Sequence, residues 1–144
     1  MAKEISTQIL IQASPAQVWN VLTDFANYPT WNPFIRSLQG EMKVGNTITV
    51  TIQPPNRSTS IFKPTLLAYQ KDKELRWLGS LPIPGLFKGE HIFQLQDQGN
   101  GSTLLVHKER FRGLLVPLLK NMLEGDTKKG FELMNEKVKE RAEA

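Results

Sequence analysis

His91, His107 and Glu109 are the residues of this chain whose types and spacing can do chemistry. Each sits in an alternating segment, and period-two geometry puts His91, Phe93 and Leu95 on one strand face and His107, Glu109 and Phe111 on one face of a partner strand. Phe93, Leu95 and Phe111 are the large apolar members, so that face belongs inside. The three polar side chains then project into a largely apolar space, where each needs a hydrogen-bond partner or a ligand. On one reading Glu109 pairs with an interior histidine or with Arg76 and completes a polar layer in the core. On the other a neutral histidine donates to a ligand carbonyl while the desolvated carboxyl beside it shuttles protons, as cyclisation or dehydration requires. The candidate catalytic set of an enzyme is therefore His91, His107 and Glu109. Two histidines and one carboxylate can form a three-ligand metal site, but His107-x-Glu109 is a common strand pattern and the chain has no other histidine, so neither a metal nor a cofactor is expected.

Other chemistries are excluded by what the chain lacks. It has 144 residues and no cysteine, which removes disulfides, thiolate metal sites and thiol nucleophiles. No Gly-x-Ser-x-Gly elbow and no glycine-rich phosphate loop between a strand and a helix is present. The formal charge is +4, with 18 basic residues spread along the chain against 14 acidic ones, so nucleic-acid binding is not expected. With 40% hydrophobic and 22% charged residues the chain is ordinary globular material, long enough to bury one core, and a single domain over residues 1–144 is predicted. No secretory signal and no apolar run approaching the roughly 18 residues of a membrane span is seen, which implies a cytoplasmic protein without membrane insertion.

The elements that must position these residues follow from period and punctuation. Ile5, Thr7, Ile9 and Ile11 alternate with polar residues as a first strand. Ser14-Pro15-Ala16-Gln17 has the form of a capping box, so a helix starts near Pro15, with Val18, Trp19, Leu22 and Phe25 at helical spacing before Asn27 and Pro29 stop it. A second brief helix follows Pro29. Strands are predicted near 35–39, 47–52, 59–69, 74–79, 89–95 and 102–111, the last two joined by Gly99-Asn100-Gly101. Leu81-Pro82-Ile83-Pro84-Gly85-Leu86-Phe87 is too proline-rich for a central strand, yet strongly apolar for a loop. From Gly113 onward Leu115, Leu119, Met122, Leu133, Met134 and Val138 form the stripe of a long terminal helix. This order disfavours a parallel sheet and predicts an α+β fold.

The opening Ser14-Pro15-Ala16-Gln17-Val18-Trp19, the Leu22-Thr23-Asp24-Phe25 continuation and Trp31-Asn32-Pro33-Phe34 resemble the START/Bet v 1-like (SRPBCC) superfamily, in particular its bacterial polyketide cyclase/dehydrase-like branch. Leu86-Phe87-Lys88-Gly89-Glu90-His91-Ile92-Phe93 and Glu109-Arg110-Phe111-Arg112-Gly113-Leu114-Leu115 carry the same likeness. The resemblance implies a helix-grip fold: a curved antiparallel sheet of six to seven strands wrapped around a long C-terminal helix, with two short helices after the first strand. It also implies a deep, mostly apolar cavity holding lipids, polyketides or other hydrophobic molecules.

On that basis the expected cavity wall comes from three places. The sheet contributes Trp77, His91, Phe93, His107, Glu109 and Phe111. The apolar loop contributes Leu86 and Phe87 as a portal lid, unless it is a satellite cluster on the end of the sheet. Trp31 and Phe34 follow the helix break, and Leu119, Met122, Gly130 and Met134 line the helix. The missing side chain at Gly130 leaves room for either a sheet side chain or a ligand. The expected function is binding of a small hydrophobic ligand (lipid, polyketide or aromatic compound) in an internal cavity, as carrier or sensor. The alternative is a polyketide cyclase or dehydratase using a Glu/His acid-base pair.

Overall fold

The computed structural model describes residues 2–144. In β1 (Ala2–Ile11) the inward positions Ile5, Thr7 and Ile11 are buried, as their alternation predicts. Ser14 caps α1 (Pro15–Leu22): its Oγ accepts the Gln17 backbone N–H while the Gln17 side chain accepts the Ser14 N–H, and Pro15 occupies the first turn. The Thr23 hydroxyl closes the helix on the Trp19 carbonyl at 2.7 Å. A 3-10 turn at Phe25–Asn27 leads into the single turn of α2 (Tyr28–Trp31), with Pro29 in its first positions.

Seven further strands follow: β2 (Ile35–Gln39), β3 (Thr49–Ile52), β4 (Ser60–Phe62), β5 (Thr65–Gln70), β6 (Glu74–Ser80), β7 (Lys88–Asp97) and β8 (Thr103–Arg112). Five form one antiparallel sheet in the order β1-β8-β7-β6-β5, and three form a second in the order β2-β3-β4. The strand expected over 59–69 is two, because Pro64 has no N–H for a ladder; its carbonyl instead accepts the Ile48 N–H at 2.9 Å, and the chain changes sheet there. Backbone bonds between Asn46 and Leu66 and between Gly45 and Leu66, with a Thr47–Thr65 bridge, join the two sheets into one curved layer.

The concave side is closed by α3 (Val116–Met122), a π turn (Leu123–Thr127) and α4 (Lys128–Glu143), which run as one helix. Pro117 lies in its first turn, where its missing N–H costs nothing. The π turn inserts an extra residue and rotates the face that follows it. Before it Leu119 and Met122 are half-buried; after it Phe131, Met134 and Val138 are fully buried, on a helix that packs against β1, β8 and α1. Gly130 is filled rather than vacant: a Cβ there would stand 2.4 Å from Cδ1 of Phe34, so the ring occupies the space a side chain would need. No helix among the described residues is long and apolar enough to cross a membrane.

Candidate functional site

The antiparallel register of β7 and β8 places His91 directly opposite Glu109 and Phe93 opposite His107. All four project from the concave face, as the alternation predicts. Arg76 is not Glu109's partner. It lies on the opposite face from Trp77 and pairs with Glu74 at 3.0 Å and Glu90 at 2.9 Å.

Both histidines are fully buried and joined to each other, with Nε2 to Nε2 at 2.7 Å, which leaves no space for a metal ion between them. From there a polar chain runs away from the cavity. His107 Nδ1 meets Asn135 Oδ1 at 2.9 Å, Asn135 Nδ2 donates to Thr7 Oγ1 at 2.9 Å, and Thr7 Oγ1 donates to the His107 carbonyl at 2.7 Å. In the other direction His91 Nδ1 lies 3.3 Å from Glu109 Oε1, near enough for an ion pair but not aligned as a hydrogen bond. Aromatic rings wall the pair in: Trp77 stacks on His91 at 4.9 Å, Phe131 on His107 at 4.2 Å, and Phe93 touches both.

Burial holds His107 well below the ordinary histidine value of 6.5, the neighbouring His91 adds to this, and the acceptors on Asn135 and the Phe131 carbonyl oppose it. The folded state therefore binds this proton more weakly than the unfolded chain does. Stability is complete above about pH 6.5 and is lost as pH falls below it, at about 1.4 kcal/mol per pH unit for one proton. Glu74, Glu124 and Glu143, whose carboxyls lie below their ordinary 4.5, act only at lower pH. Urea unfolding is expected to show a drop of about 1–2 kcal/mol between about pH 7.5 and pH 5; a flat profile would mean that native His107 is already charged.

Beside this filled zone lies a cavity of about 380 Å³, between β3, β4, the end of β6 and the α3–π segment. Of the residues expected on its wall, Phe34, Trp77, Phe87, Glu109, Phe111, Leu119 and Met122 are there. The others are not. His91, His107, Phe93 and Met134 have no exposed surface and form the packed core beside it. Gly130 is covered by Phe34. Trp31 packs edge-on against Tyr28 and beneath the Arg141 guanidinium, at the far end of α4. Leu86 is held by its backbone, its carbonyl accepting the Leu115 N–H at 3.1 Å across Gly113, whose φ of +128° and lack of a side chain permit the approach. The loop predicted as a lid is divided accordingly, with Leu81 and Phe87 lining the cavity and Ile83 exposed.

Five contributors were not expected from the sequence. Val50, Ile52 and Phe62 bring β3 and β4 to the wall, a consequence of the sheet change at Pro64. Arg57, paired with Asp126 at 2.9 Å, ties the β3–β4 loop to the π turn at the rim. Asn135 orients His107; its signal was a polar residue on the same helical stripe as Phe131 and Val138. A larger recess of about 710 Å³ beside the start of α1 opens onto the surface among Gln70, Asp72, Lys73 and Glu74, remote from the histidines.

A curved sheet closed by one long helix around an apolar cavity defines a hydrophobic-ligand-binding fold of the helix-grip type. The chain belongs to the family described as polyketide cyclase / dehydrase and lipid transport, whose sequence profile matches residues 2–143. Among solved structures it is similar to the Zhui aromatase/cyclase from Streptomyces sp. R1128, at 14% identity over 99% of this chain and 94% of that one, with a TM-score of 0.80. A norcoclaurine synthase point mutant from Thalictrum superposes with a TM-score of 0.75 at 14% identity, over 99% of this chain and 94% of that one. Ara h 8.0201 does so at 0.65 and 15% identity, over 96% and 98%. None of the curated proteins matches the chain in sequence.

Proposed function

We propose that the protein binds a small, largely apolar molecule in the cavity between the curved sheet and the terminal helix, as a carrier or sensor that releases it unchanged. The observation that supports this most is the wall: Phe34, Trp77, Phe111, Leu119 and Met122 surround about 380 Å³ whose one carboxyl is that of Glu109. Such concave, mostly apolar spaces with few polar groups are what small-molecule sites require. The test is native mass spectrometry of protein purified from its host, followed by extraction. A retained hydrophobic compound recovered unchanged is the expected result, and adding it back at about 100 times its Kd should stabilise the fold by about 2.7 kcal/mol. A broad screen of hydrophobic compounds in which none raises the melting temperature would refute the proposal.

A second reading draws on the 3.3 Å approach of Glu109 to His91, a carboxyl and an imidazole close enough to exchange a proton at the cavity wall. On this reading the protein is a cyclase or dehydratase. The retained compound would then be converted during incubation, and Glu109→Gln would abolish conversion.

A further inference from the structure

We propose that the cavity selects apolar molecules presenting a hydrogen-bond donor, a hydroxyl or an N–H, to Oε2 of Glu109, and that the buried histidine chain, by leaving His91 without a donor toward the carboxyl, sets this preference. The proposal rests on the cavity being a binding site and adds which polar group its occupant carries.

The hydrogen positions follow from the partners. Thr7 has one hydroxyl hydrogen, and it goes to the His107 carbonyl. Its oxygen must therefore accept from Asn135, which fixes the amide with Nδ2 toward Thr7 and Oδ1 toward His107. His107 Nδ1 consequently carries a hydrogen. The neutral ring then has a bare Nε2, and His91 Nε2, its partner at 2.7 Å, must donate to it. A neutral His91 is left with a lone pair on Nδ1, facing Glu109 Oε1 at 3.3 Å.

The two lie close to each other without an aligned hydrogen bond, so His91 does not satisfy the carboxyl and both Glu109 oxygens are left as acceptors. Oε2 can only accept. It stands over Gly89, another residue of the cavity wall, where a Cβ would come within 2.4 Å of it; only glycine leaves that oxygen in place. Among the described residues no side chain or backbone group donates to either oxygen of Glu109, His91 included. A bound molecule without a donor would bury Oε2 unsatisfied, and one bearing a carboxylate would set two acceptors against each other.

The test uses three probes of matched shape, suited to the aromatic wall: 2-naphthol, 2-methoxynaphthalene and 2-naphthoate. By calorimetry 2-naphthol should bind about tenfold more tightly than its methyl ether, from the one hydrogen bond gained and the one acceptor otherwise stranded, with naphthoate weakest. Glu109→Met should erase the preference. Glu109→Gln should restore it, because the amide N–H turns to His91 and the carbonyl oxygen remains at the cavity. Equal or tighter binding of the ether, or tightest binding of naphthoate, overturns the proposal while leaving the cavity a binding site. Absence of saturable binding by all three overturns both. A readout without any ligand is nitrogen-15 NMR of the histidines: hydrogen is expected on Nδ1 of His107 and on Nε2 of His91, and a neutral His91 with bare Nε2 would overturn the proposal.

Discussion

Phe34→Ala is expected to remove about 3–5 kcal/mol of folding stability, the range for emptying a buried phenylalanine site. The ring is 1% exposed and fixed from several sides. The Asn32 side-chain oxygen accepts both the Phe34 and the Ile35 backbone N–H, at 3.0 and 2.8 Å, which sets the direction in which Phe34 leaves the chain. Gly130 makes space for it, and Phe131 packs against it edge-on at 5.3 Å. With alanine at 34 the helix cannot collapse onto the vacated volume, because it is held against β1 and α1 along its length. Phe34 also forms the partition between the cavity and the histidines, whose rings both lie 6.4 Å from it. Its loss should therefore open the histidine pair to the cavity and to solvent. Urea unfolding measures the first effect, and faster solvent exchange of the histidine ring N–H groups measures the second. A loss below about 1 kcal/mol would mean that the site closes up, and that the partition is not made by this ring.

Asn135→Leu should cost about 2–6 kcal/mol, since the change keeps the branched outline but strands two buried groups, each worth about 1–3 kcal/mol. Thr7 Oγ1 loses its donor and His107 Nδ1–H loses its acceptor. Part of the loss is recoverable by a route particular to this chain of bonds. If His107 moves its hydrogen to Nε2, it can donate to a bare His91 Nε2, and His91 then carries its hydrogen on Nδ1, toward Glu109. The expected signature is thus a reversal of both ring tautomers in the nitrogen-15 spectrum. Destabilisation with the tautomers unchanged would show that Asn135 only fills space beside His107 and does not set the direction of the chain.

Much of the architecture was legible along the chain. The capping box at Ser14, the alternation of β1, β7 and β8 and the stripe of the terminal helix are local patterns, and each element formed where its pattern lay. Pro64 was equally visible, yet its effect was not: a missing N–H predicts a break in a strand, whereas its use as the point where the chain changes sheet depends on Ile48 arriving from another strand. The inward facing of His91, His107 and Glu109 was readable from period two alone.

What the three polar groups do to one another was not readable. Alternation assigns a face, and a shift in pairing of two residues would keep all three inside while separating His91 from Glu109. The observed register, the packing of α4 that brings Asn135 to His107, and the insertion of Phe34 over Gly130 are long-range outcomes of packing. Period and punctuation along the chain thus carry the fold, the inward face and the polar residues on it. That the histidines are sealed in the core and that, of the three, Glu109 alone meets the cavity follows from packing, because side-chain volume is shared among elements distant along the chain and no local pattern records how it is divided.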